Sequence, residues 1–366
     1  MISLCAALLL SGAMPAPAGA VGTFGPRVPV VEPTCNVTSA SGDAVVGLDG
    51  TTRGFVAFDG TGCSDRIRFF EGAGGGWSKA MTRYRGVVLA TAYDGTGAWL
   101  LYANGSGIRV GQRTNSGTYR DPVRVDSKGL TGAIIPSGDL VASGGRWLAV
   151  WNRQVGPGGE FAQTELFSAQ TLGMGHCFSS GINRQRITNS NAGDDNPTLL
   201  TPDNADGKVR LLWDRNDSAQ GERADLRIAR MPLDDCRWRQ RLFTAGGDLN
   251  VTPDAARGLE AKLVTWQRDG KILVDGGSAF GRRRLGTGFA PDISHTAATT
   301  HVAWNTFAAS RHVRLAERAG GTWTTTDVTA GLHGDQQLIG VTGTGNKATV
   351  LIVNLATNRL YARSQR

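Results

Sequence analysis

The chain reads as an all-β protein, a β-propeller of about seven four-stranded blades, with six as the alternative count. Three observations predict this: a short apolar strand that recurs along the chain, an alternating strand that follows most copies, and the near absence of helical periodicity. The apolar strand appears as Phe55-Val56-Ala57-Phe58, Trp99-Leu100-Leu101-Tyr102, Leu148-Ala149-Val150-Trp151, Arg210-Leu211-Leu212-Trp213, Leu263-Val264-Thr265-Trp266, His301-Val302-Ala303-Trp304 and Val350-Leu351-Ile352-Val353. The copies lie roughly 49 residues apart on average, the length of one propeller blade. Gly, Thr, Asn and Asp clusters punctuate the chain, and no stretch sustains a 3.6-residue period with caps. A pair of β-sandwiches is the competing fold, since it also yields regular short strands.

The elements follow in chain order. Leu4 to about Met14 is apolar, and Ala18-Gly19-Ala20 fits the small-x-small rule for cleavage, so residues 1–20 are expected to be a signal peptide. No Lys or Arg precedes the apolar run. Residues 21–366 are then expected to form one propeller domain, for no linker or change of composition divides them. The expected product is an exported, extracellular bacterial protein, soluble and monomeric, with no membrane insertion, because no segment reaches the ~20 apolar residues of a span.

In most units, an apolar-Arg-apolar alternation follows the apolar strand, with the period of two of a half-exposed strand. It reads Ile67-Arg68-Phe69, Ile108-Arg109-Val110-Gly111, Leu226-Arg227-Ile228-Ala229, Val313-Arg314-Leu315-Ala316 and, less closely, Leu360-Tyr361-Ala362. The small residue after it predicts tight packing between blades. Next comes a glycine turn and an aromatic expected to open the outermost strand: Gly76-Trp77, Gly117-Thr118-Tyr119 and Gly321-Thr322-Trp323. The last unit lacks that piece, while Gly22-Thr23-Phe24 supplies the same chemistry near the N-terminus. A strand from about Thr23 to Val31 is therefore expected to complete the C-terminal blade and close the ring, which protects an open sheet edge.

Four cysteines remain once Cys5 is removed: Cys35, Cys63, Cys177 and Cys236. An even number in an exported chain predicts two disulfides, and three pairings are possible. Cys35 with Cys63 and Cys177 with Cys236 is favoured, since each closes within a blade or between neighbours. The spacing lacks the close pairs of zinc sites, so no metal is expected.

The turn Ala319-Gly320-Gly321-Thr322-Trp323 resembles the end of the Asp-box, or BNR, repeat of the sialidase-like secreted propellers, and Glu71-Gly72-Ala73-Gly74-Gly75-Gly76-Trp77 echoes it. Both match the glycine and aromatic half and lack the aspartate. The resemblance implies a sialidase-like propeller over most of the chain. An active sialidase of that family implies an Arg-Ile-Pro motif, for which Arg27-Val28-Pro29 is the counterpart, and a Tyr activated by Glu. Arg27 falls on the expected closing strand, away from a central site, and Tyr361 on the last unit.

Charge supplies the remaining signals. The chain carries 39 Lys and Arg against 31 Asp and Glu, a net charge of +8. Arginine favours planar contacts with carboxylate, sulfate or phosphate. Trp-x-Arg follows the apolar strand in three consecutive units: Trp151-Asn152-Arg153, Trp213-Asp214-Arg215 and Trp266-Gln267-Arg268. Equivalent propeller positions point the same way, so Arg153, Arg215 and Arg268, with Asn152, Asp214 and Asp269, are the candidate ligand-binding residues at one mouth. The alternative is that each arginine stacks on an aromatic ring or pairs with a neighbouring blade's carboxylate. Asp214, Asp217 and Asp269 near these strand ends could form a carboxylate pair for glycoside hydrolysis, or serve in turns.

The segment from Gly173 to Pro197 is the longest expected insertion, carrying His176, Cys177, Arg184, Arg186, Asp194 and Asp195. Asp203-Asn204-Ala205-Asp206-Gly207 lacks the other ligands of a calcium loop and reads as a β-turn. The five histidines form no HExxH pair, and there is no phosphate loop or dinucleotide fingerprint. No cofactor and no nucleic-acid partner is expected. The leading expectation is a non-catalytic secreted propeller that recognises a glycan, acidic where the arginines face it. The alternatives are a glycan-active enzyme, glycoside hydrolase or polysaccharide lyase, with its site at the central mouth, and a structural or protein-binding scaffold.

Overall fold

The computed structural model describes residues 23–366 apart from 74–75, 129–135, 156–162, 172–181, 191, 204–207, 217–223, 233–236, 244–248, 257–262, 278–279 and 297–298. The leader, Cys177, Cys236, His176, Asp217 and most of the candidate calcium loop lie outside those residues. No helix among the described residues is long and apolar enough to cross a membrane.

Seven four-stranded antiparallel sheets form the molecule. The chain enters through β1 (Val28–Val31). Blade 1 is β2 (Asn36–Val46), β3 (Thr52–Thr61), β4 (Arg66–Ala73) and β5 (Gly76–Arg85). Blade 2 is β6 (Val87–Tyr93), β7 (Gly97–Asn104), β8 (Gly107–Thr114) and β9 (Val123–Asp126). Blade 3 is β10 (Gly138–Ser143), β11 (Arg146–Gln154), β12 (Thr164–Thr171) and β13 (Ile182–Arg186). Blade 4 is β14 (Gly193–Asp203), β15 (Lys208–Asn216), β16 (Ala224–Pro232) and β17 (Arg239–Leu242). Blade 5 is β18 (Asn250–Ala255), β19 (Val264–Arg268), β20 (Lys271–Asp275) and β21 (Arg282–Thr287). Blade 6 is β22 (Phe289–His295), β23 (Thr300–Asn305), β24 (Val313–Ala319) and β25 (Thr322–Asp327). Blade 7 is β26 (Gln336–Thr344), β27 (Lys347–Asn354) and β28 (Arg359–Ser364), and its fourth strand is β1, in the order β1-β28-β27-β26. The first strands of consecutive blades touch in a complete circuit that returns from β26 to β2.

The recurrent apolar run is the second strand of every blade. Covered on both faces by neighbouring blades, it can be apolar throughout: β23 is buried along its whole length. The core is a ring of seven layers, one in each interface between blades. Trp147, Trp151, Trp213, Trp266 and Trp304 are its largest members. The small residue after the Arg alternation of blade 2 packs as expected. A Cβ at Gly111 would lie 2.7 Å from the Tyr84 ring, whose hydroxyl donates to the Arg120 carbonyl at 2.8 Å.

Ring closure also follows the sequence. Val28 and Pro29 pair with Ala362 and Tyr361, and Val30 and Val31 enter the layer shared by blades 7 and 1. Cys35 and Cys63 form a disulfide beside this seam, with Cα atoms 4.9 Å apart.

Two local expectations are corrected. The segment 173–197 is not wholly an insertion, because its polar run Asn183-Arg184-Gln185-Arg186 is the outermost strand of blade 3. Outermost strands bury little, so their sequences carry little apolar signal. Tyr119 does not open the outermost strand of blade 2, which begins at Val123. Pro122 lies between them and has no N–H to offer a ladder.

Candidate functional site

Antiparallel order places the start of each first strand and the end of each second strand on one face of the ring, here the upper face. Trp-x-Arg lies there in blades 3, 4 and 5, and in blades 3 and 4 works as a clamp on one acceptor. Trp151 Nε1 donates to Asp126 Oδ2 at 3.0 Å, and Arg153 Nη1 reaches the same oxygen at 3.1 Å. Trp213 Nε1 donates to Asp194 at 2.8 Å, and Arg215 Nε donates to it at 2.7 Å. In blade 5 an amide replaces the carboxylate: Trp266 Nε1 donates to Asn250 Oδ1 at 3.2 Å, and Arg268 is in register with Asn250. A buried carboxylate needs such charged donors to offset its lost hydration.

The clamps separate the arginines. Arg153 leans outward, pairing with the outermost strand of blade 2 and stacking 3.8 Å from the centroid of Phe167 on β12. Arg215 is held against its own innermost strand. Asn152 points to the other side of β11, donating to Asp195 Oδ1 at 2.5 Å and accepting from the Ser137 N–H at 2.7 Å. Asp214 is in register with Asp195. Its carboxyl is raised well above the usual range by burial and then by the Asp195 charge, and its Oδ1 has no hydrogen-bond partner. Burial raises Asp195 as well. Asp269 and Gly270 form the two-residue turn between β19 and β20, with φ of 49° and 69°, as the mirror-image hairpin turn requires. The Asp269 Oδ1 accepts from the Leu249 N–H. Arg27 lies over the Tyr361 ring at 5.1 Å on the closing strand and β28.

A girdle on the innermost strands was missed by the sequence reading. Its signal was present as Asn196-Pro197-Thr198, Thr252-Pro253-Asp254 and Ala290-Pro291-Asp292. In each, the residue before proline has a φ of 46–49°, within or beside a bulge. Positive φ is an unfavourable state for threonine and marks a conformation imposed by its surroundings. The bulge delivers the third residue of each triplet to the ring, where seven N–H groups must be satisfied. Four lie one residue past this position in the following blade: Thr91, Leu199, Ile293 and Val341 donate to Asp43, Asp139, Asp254 and Asp292 at 2.6–2.8 Å. Where the preceding blade offers Ala90, Thr198 or Gly340, the N–H turns to its own aspartate, as Leu140, Ala255 and Ala44 do. Four carboxylates thus serve seven donors.

Asp254 and Asp292 are close enough for each to bear on the other's charge. Burial raises both carboxyls, and the Asp254 charge adds to the rise at Asp292, so a proton held between them relieves like-charge repulsion. Asp292→Asn keeps an acceptor for Val341 and a donor for Asp254, and is expected to hold the melting temperature. Asp292→Ala orphans the Val341 N–H and is expected to cost about 1–3 kcal/mol. Equal losses in chemical denaturation of the two variants would refute the shared proton.

The upper face carries an arginine-rich groove of about 410 Å³ between blades 2 and 3, lined by Arg124, Arg153, Arg184, Arg186, Phe167 and Asp126, among others. Arg184 is fixed by the carbonyls of Arg124 and Val125 at 2.8 and 2.9 Å. Arg186 pairs with buried Glu165 at 3.1 Å. Arg124 is exposed. Four guanidinium groups face the two carboxylates of Asp126 and Glu165.

The fold defines a seven-bladed β-propeller. No protein family matches the sequence, and no curated protein matches it. Solved structures do resemble it. The α-L-arabinanase of Penicillium chrysogenum, complexed with arabinobiose, matches with a TM-score of 0.55 and 10% identity, over 94% of this chain and 98% of that one. A puromycin hydrolase matches with a TM-score of 0.53 and 13% identity, over 89% of this chain and 53% of that one. A protein of unknown function from Dyadobacter fermentans matches with a TM-score of 0.52 and 11% identity, over 78% of this chain and 96% of that one. At such identities the likeness establishes the fold alone.

Proposed function

We propose that this is an exported, monomeric recognition propeller that binds an acidic glycan in the groove between blades 2 and 3. The observation that carries the reading is the surplus of guanidinium groups around Phe167. Arg153 and Arg184 are pre-positioned by stacking and by backbone carbonyls, so less side-chain entropy is lost when an anion arrives. Planar forks suit carboxylate and sulfate groups, and the aromatic ring offers a surface for a sugar. The Cys35–Cys63 disulfide supports an oxidising compartment, and the arabinobiose complex of the arabinanase supports a saccharide as the ligand class.

The test is calorimetric titration of the mature protein with polygalacturonate, chondroitin sulfate and a neutral arabinan. Binding to the acidic polymers is expected to weaken with salt, and at least about tenfold in Arg124→Glu, which leaves every described ion pair intact. Equal affinity for the arabinan, or an unaffected Arg124→Glu, would overturn it.

The enzyme reading is favoured by one observation, the in-register pair Asp195 and Asp214 with both carboxyls raised by burial. It requires new reducing ends or unsaturated products from the same polymers, lost in Asp214→Asn.

A further inference from the structure

The lower face carries a second cavity, larger than the groove and on the opposite side of the ring. It opens at the seam between blades 7 and 1 and encloses about 760 Å³, within the range of small-ligand sites. Its walls come from the ends of β4 and β28, the starts of β5 and β27, and the segment leading into β1. Small residues create the space. Gly72, Ala73, Ala362 and Ser364 are among its lining residues.

The floor is aromatic. A Cβ at Gly72 would lie 2.5 Å from Trp77 Cδ2 and 2.6 Å from Cε3, so only glycine lets the indole rest on the strand at this point. Trp77 is steadied on another side by Phe70, with ring centroids 6.1 Å apart. An indole fixed in this way offers a flat apolar surface of the kind on which a sugar ring stacks.

The polar lining is selective. Thr349 and Ser364 bond each other at 2.9 Å, and Gln365 is spent on Glu317 and the Ala348 N–H. Among the described lining residues the charged side chains are Lys347 and Arg366, with no Asp or Glu side chain beside them. Both are exposed, and Arg366 Nε lies 3.2 Å from the point a Cβ would take at Gly25.

We infer that this cavity is a second saccharide site, distinct from the arginine groove, which takes a short acidic sugar stacked on Trp77 with its carboxylate or sulfate toward Lys347 and Arg366. The inference stands without the groove reading. It gives the ring two faces that each engage an anionic glycan, so that one polymer or two could be held by a single molecule.

The test uses digalacturonate, its neutral counterpart galactobiose, and a sulfated disaccharide, titrated into the mature protein carrying Arg124→Glu, which weakens the groove. Binding of an acidic disaccharide is expected to persist there, to exceed that of galactobiose, and to fall at least about tenfold in Lys347→Glu or Trp77→Ala. Trp77→Phe keeps an aromatic floor and is expected to retain most of the affinity. This separates loss of the platform from loss of the fold, which is checked by melting. Which of the two acidic probes binds tighter distinguishes carboxylate from sulfate. Absence of binding in Arg124→Glu, or binding indifferent to both Lys347→Glu and Trp77→Ala, would overturn the second site and leave the groove reading standing. Binding in Arg124→Glu that matches the unsubstituted protein for long polymers as well would overturn the groove reading instead.

Discussion

Deleting residues 23–31 is expected to lower the melting temperature by roughly 5–10 °C, the largest effect expected of any change discussed. Val30 and Val31 are almost wholly buried and belong to the apolar layer shared by blades 7 and 1. Burying two such side chains is worth about 3–6 kcal/mol. In a domain of this size each kcal/mol moves the midpoint by roughly 1–2 °C. The deletion also strips the ladder from β28, and it removes the hydrogen bonds between Gly25 N–H and the Ser364 carbonyl and between Arg366 N–H and the Thr23 carbonyl. An exposed β28 edge invites pairing between molecules. Calorimetry of the truncated protein, with light scattering, checks both consequences; a midpoint within about 2 °C of the intact protein would contradict the closing role.

Acidification from pH 7 to pH 5 removes about 2 kcal/mol of stability through one residue, His301. Its imidazole is fully buried on β23 with neither ring nitrogen hydrogen-bonded. Burial, and secondarily the nearby His295, holds its pKa down to about 4, against 6.5 when exposed. Ser294 and Glu317 are its register neighbours, and the Glu317 carboxylate is engaged by Gln365 at 2.6 Å. Because the folded pKa lies below the unfolded one, the unfolded chain binds the proton first as pH falls. Stability is complete above about pH 6.5 and drains away toward pH 4. Urea titrations at a series of pH values are expected to show this slope in the unsubstituted protein and a flatter one in His301→Leu. Parallel profiles for the two proteins would mean that the loss arises elsewhere.

Legibility differed by layer of the blade. Second strands announced themselves because both of their faces are covered, which turns Leu148 to Trp151 or His301 to Trp304 into nearly unbroken apolar runs. Third strands followed from their alternation, and the closing strand from two loose ends that matched. First strands left a fainter trace. Their recurrent x-Pro-Asp was hidden by its uneven spacing and by the ordinary use of Pro and Asp in turns. The fourth strand of blade 3 passed for a loop, since solvent covers much of it.

The site divided in the same way. Trp-x-Arg was visible as a repeat, but its acceptors were not: Asp126 precedes Arg153 by 27 residues and sits in another blade, while Asp194 lies on the strand paired with Arg215. The expected convergence of three arginines on one mouth depended on those missing partners. The cavity at the seam joins residues from both ends of the chain, and no local pattern advertises it.

By itself the sequence pointed to the class of fold, a count of about seven blades, the strand that closes the ring and a favoured Cys35–Cys63 pair, because each rests on local periodicity or on short separations along the chain. Tertiary structure alone decided where the charges act. Contacts between blades, such as the Val37 N–H on Asn358 Oδ1 across 321 residues, are registered only when the ring shuts, and that registration determines which guanidinium groups are neutralised and which face solvent.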